Sequence, residues 1–230
     1  MIPLRDENPS GSAPIVTRAI IALNVALFLY ELLLGSDLRR FMMDFAFVPS
    51  RLTGALRAGD EPLPAPAFTL ISSLFLHGGW AHLIGNMWYL WIFGDNVEDR
   101  LGKVRFLVFY LAAGVGASLT HYLANTNSAV PTVGASGAIA ATLGAYAVAY
   151  PHARVVTLVP LFPFFQIMAL PAMLVLGLWF VFQFFSGALS LAWSAGGGGV
   201  AWWAHIGGFA IGMLVMRFAG PATGARRMRA

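Results

Sequence analysis

The chain has 230 residues, of which 58% are hydrophobic and 10% charged, a balance that excludes an ordinary soluble domain and marks a polytopic membrane protein. It has no cysteine, which excludes disulfides, zinc-thiolate sites and thiol nucleophiles. Its five histidines match neither H-x-x-x-H nor H-E-x-x-H, so no metal and no cofactor is expected. The net charge of +4 is almost wholly arginine, with Lys103 the only lysine; in a membrane protein such an excess reports topology, and nucleic acid is not an expected partner.

In chain order, the opening MIPLRDENPSGSAPIVTR mixes charges and prolines and lacks the basic start of a signal peptide. Residues 1–16 are expected to be a short cytoplasmic segment, followed by a retained first helix. A ruler of about 20 apolar residues then finds spans at 17–35, 78–97, 104–124, 135–150, 169–190 and 200–219. The expected fold class is therefore all-α, a membrane domain over 17–219, with a basic cytoplasmic tail at 220–230. Segment 36–67, in which Arg39, Arg40, Arg51 and Arg57 face Asp37, Asp44, Asp60 and Glu61, reads as a long first external loop lying at the membrane surface. The apolar run at 155–170 is interrupted by Pro160 and Pro163 and followed by Pro171, so it reads as an interfacial or re-entrant lead-in to the fifth span. Arg5, Arg18, Arg100, Lys103, Arg105, Arg154, Arg217, Arg226, Arg227 and Arg229 lie on the even-numbered side, which predicts that both termini are cytoplasmic. A small chain of this kind without a targeting extension suggests a multi-pass protein of a prokaryotic plasma membrane.

With that topology, spans two, four and six start at the same membrane face, and the polar intramembrane residues cluster there. Span two carries His82 and Asn86 four apart, hence on one helix face. Span four opens GASG with Ser136, and span six places His205 one to two turns below its start. Polar side chains within spans face the protein interior or water, so three helices are expected to converge on one wet pocket. The chemistry available there is nucleophilic acyl transfer, with Ser136 as nucleophile and His205 as general base. The Ser136 amide at a helix start, together with His82 and Asn86, could stabilise an oxyanion. Gly207, Gly208 and Gly212 thin the face of span six and permit close approach. Asp95, Glu98 and Asp99 lie at the other end of span two, so no acidic residue is expected at the depth of the serine. Glu98 and Gly94 read as capping and packing groups at the inner end of span two, Asn24 and Gln183 as interhelical hydrogen-bond groups, His77 as interfacial or touching the cavity rim, and His121 and His152 as ordinary helix-end residues.

FLHGGWAHLIGNMWYLWIFGDNVEDRLG (75–102), VGASGAI and AWWAHIGGF, in this order, resemble the rhomboid family of intramembrane serine proteases. The likeness runs from about residue 17 to 219. It implies a six-transmembrane-helix bundle with a water-filled cavity, Ser136 as nucleophile, His205 as base, and the Ser136 amide, His82 and Asn86 as the oxyanion site. It implies transmembrane protein substrates cut near the external face, within the lipid bilayer. It further implies that the loop after span five, WSAGGGGV (193–200), caps the cavity and that span five gates lateral entry. Two departures stand out: Ala140 occupies the position, one turn after the serine, where better-known members place an aromatic ring against the histidine, and the first loop lacks the Trp-Arg pair of many members. A catalytically silent rhomboid-like protein that binds membrane helices is the alternative. A small transporter is disfavoured by apolar lower halves such as AIAATLGAYAVAY and FAIGMLVM.

Overall fold

In lipid a backbone must satisfy its own hydrogen bonds, and long apolar runs do so as helices. The computed structural model describes residues 1–57, 62–161, 163–192 and 201–219. The described helices are α1 (Ile15–Leu33), α2 (Leu38–Phe45), α3 (Pro49–Arg57), α4 (Pro64–Ser72), α5 (Trp80–Leu101), α6 (Lys103–Ala124), α7 (Ser136–Ala149), α8 (Ala172–Ala192) and α9 (Trp202–Phe218). By length and composition α1, α6 and residues 172–189 of α8 can each cross a membrane. Helix α4 with its trailing 3₁₀ turn (Ser73–Phe75) meets α5 at a 78° bend and adds a fourth span if the pair counts as one. Helices α7 and α9 are apolar but shorter, with 14 and 17 residues.

The residues expected to form a surface loop instead build α2, α3 and α4. Helix α2 carries Phe41 and Phe45 in ring contact, at 5.7 Å and 6.4 Å, with Tyr30 of α1 and Phe68 of α4. Because α7 is apolar on every side, it must be central; Gly137 through Ala147 are all buried in it. It runs parallel to α9 at backbone contact. A Cβ at Gly208 would strike the Gly137 carbonyl, one at Gly212 the Ala141 carbonyl, and one at Gly144 the Phe209 carbonyl. Gly207 differs from the expectation: it faces α6, where a Cβ would come within 2.6 Å of three Thr120 atoms or closer.

Gly102, at φ +83°, is the single residue between α5 and α6. One turn earlier Glu98, 1% exposed, accepts hydrogen bonds from the Val16 and Thr17 amides at 3.0 and 2.7 Å and from the Thr17 hydroxyl at 2.8 Å. It therefore caps the start of α1, not its own helix. Gly94 makes room for this, since a Cβ there would lie 2.9 Å from Thr17 Cγ2. Asn24 also departs from expectation: its amide bonds back to Ile20 O within α1, at 2.7 Å.

The all-α expectation is corrected by a three-stranded antiparallel sheet, β1 (Ile2–Asp6), β2 (Arg154–Leu161) and β3 (Phe164–Pro171), in the order β1-β2-β3. The run expected to be an interfacial lead-in folds as the β2–β3 hairpin because Val155, Val156, Thr157, Val159, Phe164, Phe165 and Ile167 favour a pleated strand. Pro160 lies beyond Leu158, the last β2 residue paired with β1, where one side of the strand is open and a missing N–H is tolerated. Pairing with β2 places the N-terminal segment beside the end of α7. Trp88 Nε1 donates to Pro3 O at 2.7 Å, and the Tyr146 hydroxyl donates to Asp6 at 2.7 Å. The tail beyond residue 219 and the proposed cap at 193–200 lie outside the described residues.

Candidate active site

Ser136 is the first residue of α7, and the chain leading to it is fastened on two sides. Phe47 and Thr132 exchange backbone hydrogen bonds at 3.1 and 2.7 Å, and the Gly134 amide donates to Ser73 O at 2.8 Å. Gly134 has φ +122°, a conformation that other residues adopt only with strain. A Cβ at this position would lie 2.6 Å from His82 Nε2 and 3.5 Å from Asn86 Nδ2. The glycine thus lets both α5 side chains reach the backbone just ahead of Ser136.

His205 occupies the first turn of α9 and is 8% exposed. It lies on the residue next to Ala204, whose Cβ would be 3.7 Å from a Cβ at Gly137, the neighbour of Ser136. The α7–α9 backbone contact thereby brings serine and histidine to adjoining positions at one level. Among the described residues Ser136 is half-buried and its hydroxyl has no hydrogen-bond partner. The four residues expected to converge, Ser136, His205, His82 and Asn86, therefore gather where α5, α7 and α9 begin.

The structure adds three groups to this cluster. His77, expected at the interface or at the cavity rim, is 1% exposed and joins the cluster: its Nε2 lies 3.0 Å from Asn86 Nδ2. Its ring also meets that of His82 edge-on, with centroids 5.1 Å apart. Glu31 of α1, 2% exposed, accepts from the His77 amide at 3.3 and 3.4 Å. An acid does sit near this level, against the expectation of none, although its carboxylate holds the His77 backbone and not His205. Gln183 of α8 does bond between helices, as expected, and its partner is His205: Oε1 lies 2.7 Å from Nδ1. The signal for Glu31 and Gln183 was a lone polar residue within an apolar span; His77 lies in the link before α5 and carried no such signal.

Aromatic rings complete the surroundings of His205. Trp179 and Trp202 have centroids 6.0 and 6.2 Å from the imidazole. Among the described residues no group of three or more His, Asp or Glu side chains is arranged to hold a metal ion. The arrangement can therefore offer a hydroxyl at a helix N-terminus, an imidazole held at one nitrogen, and amide and imidazole donors beside both.

The Rhomboid domain family model matches residues 65–221. Rhomboid protein 1, mitochondrial, of Saccharomyces cerevisiae is 31% identical over 170 residues, covering 70% of this chain and 44% of its own length. Presenilin-associated rhomboid-like protein A, mitochondrial, of Danio rerio is 33% identical over 128 residues, covering 53% and 33%. Rhomboid-like protein 11, chloroplastic, of Arabidopsis thaliana is 40% identical over 72 residues, covering 31% and 25%. The chain thus spans less than half the length of these relatives. Their names overturn the expected location: they point to a eukaryotic organellar membrane, and the assignment to a prokaryotic plasma membrane is withdrawn.

Proposed function

Since the chain belongs to the rhomboid family, we propose that it is a serine endopeptidase that cuts transmembrane segments of other membrane proteins within the bilayer. On this reading α1, α5, α6, α7, α8 and α9 are six spans, and the site opens at the membrane face opposite the N-terminal strand. Ser136 Oγ attacks the scissile carbonyl while His205 Nε2 takes its proton; the same proton then passes to the leaving amine. Water, activated by His205, releases the acyl group from Ser136. The developing oxyanion is held by the Ser136 amide, unpaired at the start of α7, with His82 and Asn86 as further donors.

The observation that supports this most is the convergence itself. Ser136 and His205 adjoin a contact between two glycine-lined helices, while His82 and Asn86 reach the backbone two residues before the serine. A substrate helix has its amides already paired and must open locally before its carbonyl can be attacked, so sites with helix-weakening residues should be cut preferentially.

The test is cleavage of single-span substrates by the purified protein in liposomes, beside Ser136→Ala and His205→Ala. Cleavage by the unmodified protein alone supports the assignment. Equal cleavage by Ser136→Ala would sink it, and helix binding without cleavage across a substrate panel would replace it with the helix-binding alternative.

A further inference from the structure

Ala140 is fully buried one turn after Ser136, and its methyl group offers nothing that could orient an imidazole. The group that touches the ring through a directed bond comes from α8. Gln183 is 6% exposed, His205 8%, and Gln183 Oε1 lies 2.7 Å from His205 Nδ1. Trp179, one turn earlier on the same face of α8, flanks the ring at 6.0 Å, so two residues at i and i+4 grip it together.

The chemistry of a neutral imidazole makes this bond decisive. One ring nitrogen carries a proton and the other a lone pair, and the bond made by the first selects which is which. A carbonyl oxygen facing Nδ1 requires the proton there and leaves Nε2 as the acceptor. With the amide reversed, Nδ1 would accept, Nε2 would be protonated, and the ring could not act as a base toward a serine. We propose that Gln183 is a positioning residue that holds His205 in the Nδ1–H tautomer with Nε2 free to receive the serine proton. This proposal rests on the serine protease reading above.

The other ionisable groups around His205 do not compete for Nδ1. Helix α8 contains no titratable side chain over 172–192, and α7 contains only Tyr146, ten residues beyond Ser136. The ionisable groups whose charge acts on His205 are His82 of α5 and His121 of α6, and α9 itself carries besides it only Arg217 at its far end.

The experiment compares the unmodified protein with Gln183→Met, Gln183→Glu and Ser136→Ala. Two readouts are used: steady-state cleavage against pH, and nitrogen NMR of isotope-labelled histidine, with His205→Ala to assign the signal. Gln183→Met keeps the side-chain length but removes the acceptor. Its kcat should fall about 10- to 100-fold with KM within about twofold, and the His205 signal should shift from Nδ1–H to a tautomer mixture. Gln183→Glu keeps the acceptor and adds a charge. It should retain cleavage, with the acid limb of the kcat profile moved up by about one pH unit.

Gln183→Met with unchanged kcat and unchanged tautomer would overturn the proposal, as would an unmoved acid limb in Gln183→Glu. If the unmodified protein cuts nothing, the protease reading fails, and the tautomer measurement still decides whether Gln183 sets the protonated nitrogen. A mixture of tautomers in the unmodified protein refutes the positioning role directly.

Discussion

Replacing Gly134 by alanine probes the approach of His82 to the serine loop. The new Cβ would lie 2.6 Å from Nε2 and 2.7 Å from Cε1 of His82, but 3.5 Å from Asn86 Nδ2, which is ordinary contact. The backbone cannot give way easily, because its amide is bonded to Ser73 O at 2.8 Å. The imidazole must therefore retreat by about 0.8 Å to reach ordinary contact, lengthening an oxyanion hydrogen bond of ~2.9 Å beyond useful range. Loss of one such donor costs about 10²- to 10³-fold in kcat. Strain at φ +122° adds about 1–3 kcal/mol of destabilisation. Two controls separate the effects. Gly79→Ala meets nothing within 4 Å but stands at φ +154°, so it is strained without touching His82. Gly78→Ala reaches only ordinary contact, 3.9 Å from His82 Nδ1. Thermal unfolding beside cleavage of a single-span substrate should show Gly134→Ala and Gly79→Ala both destabilised, with kcat collapsing only in the former. Equal kcat losses in the two variants, or full activity in Gly134→Ala, would refute the placement of His82 as a donor.

Glu98→Ala leaves the first-turn amides of α1 buried without an acceptor and should lower stability by about 2–4 kcal/mol, whereas Thr17→Val, losing one hydroxyl bond, should cost about 1; denaturation curves would compare them. Gly212→Val forces α7 and α9 apart at Ala141 and should cost about 1–3 kcal/mol while reducing cleavage, measured on the folded fraction. Burial pushes the Asp6 carboxyl up to about 6, with the nearby Asp95 adding to the rise and the Tyr146 hydrogen bond opposing it. A raised carboxyl makes the folded state the better proton binder, so this contribution is full below about pH 4 and lost as pH rises through about 6. Because Asp6 is only half-buried, the effect should be roughly 1 kcal/mol after solvent screening. The protection of the Ile2–Asp6 amides, with the base-catalysed rise of intrinsic exchange divided out, should fall between about pH 4 and 6 in the unmodified protein, and Asp6→Asn should abolish that fall.

Much of the helical framework was legible because it is local. The spans read at 104–124 and 135–150 match α6 and α7 to within a residue, since apolar length and flanking charge decide them without reference to neighbours. The common level of Ser136, His82, Asn86 and His205 was legible for a similar reason: each stands within two turns of a helix start. The β2–β3 hairpin was misread because a short apolar run with prolines carries no period that separates strand from interfacial coil, and β1 needs a distant partner before it is a strand at all.

What the sequence by itself determined was the membrane class, the order of the apolar segments and the residue types that meet at the candidate site. Only the tertiary structure decided which polar groups pair: Gln183 with His205, His77 with Asn86, Glu31 with the His77 amide, and Glu98 with the start of α1. The reason lies in the geometry of helix packing. Spacing along one helix fixes which side chains share a face, but the partner across the interface depends on the rotation and crossing of two helices. Here those are set by where Gly137, Gly144, Gly208 and Gly212 allow α7 and α9 to touch at the backbone.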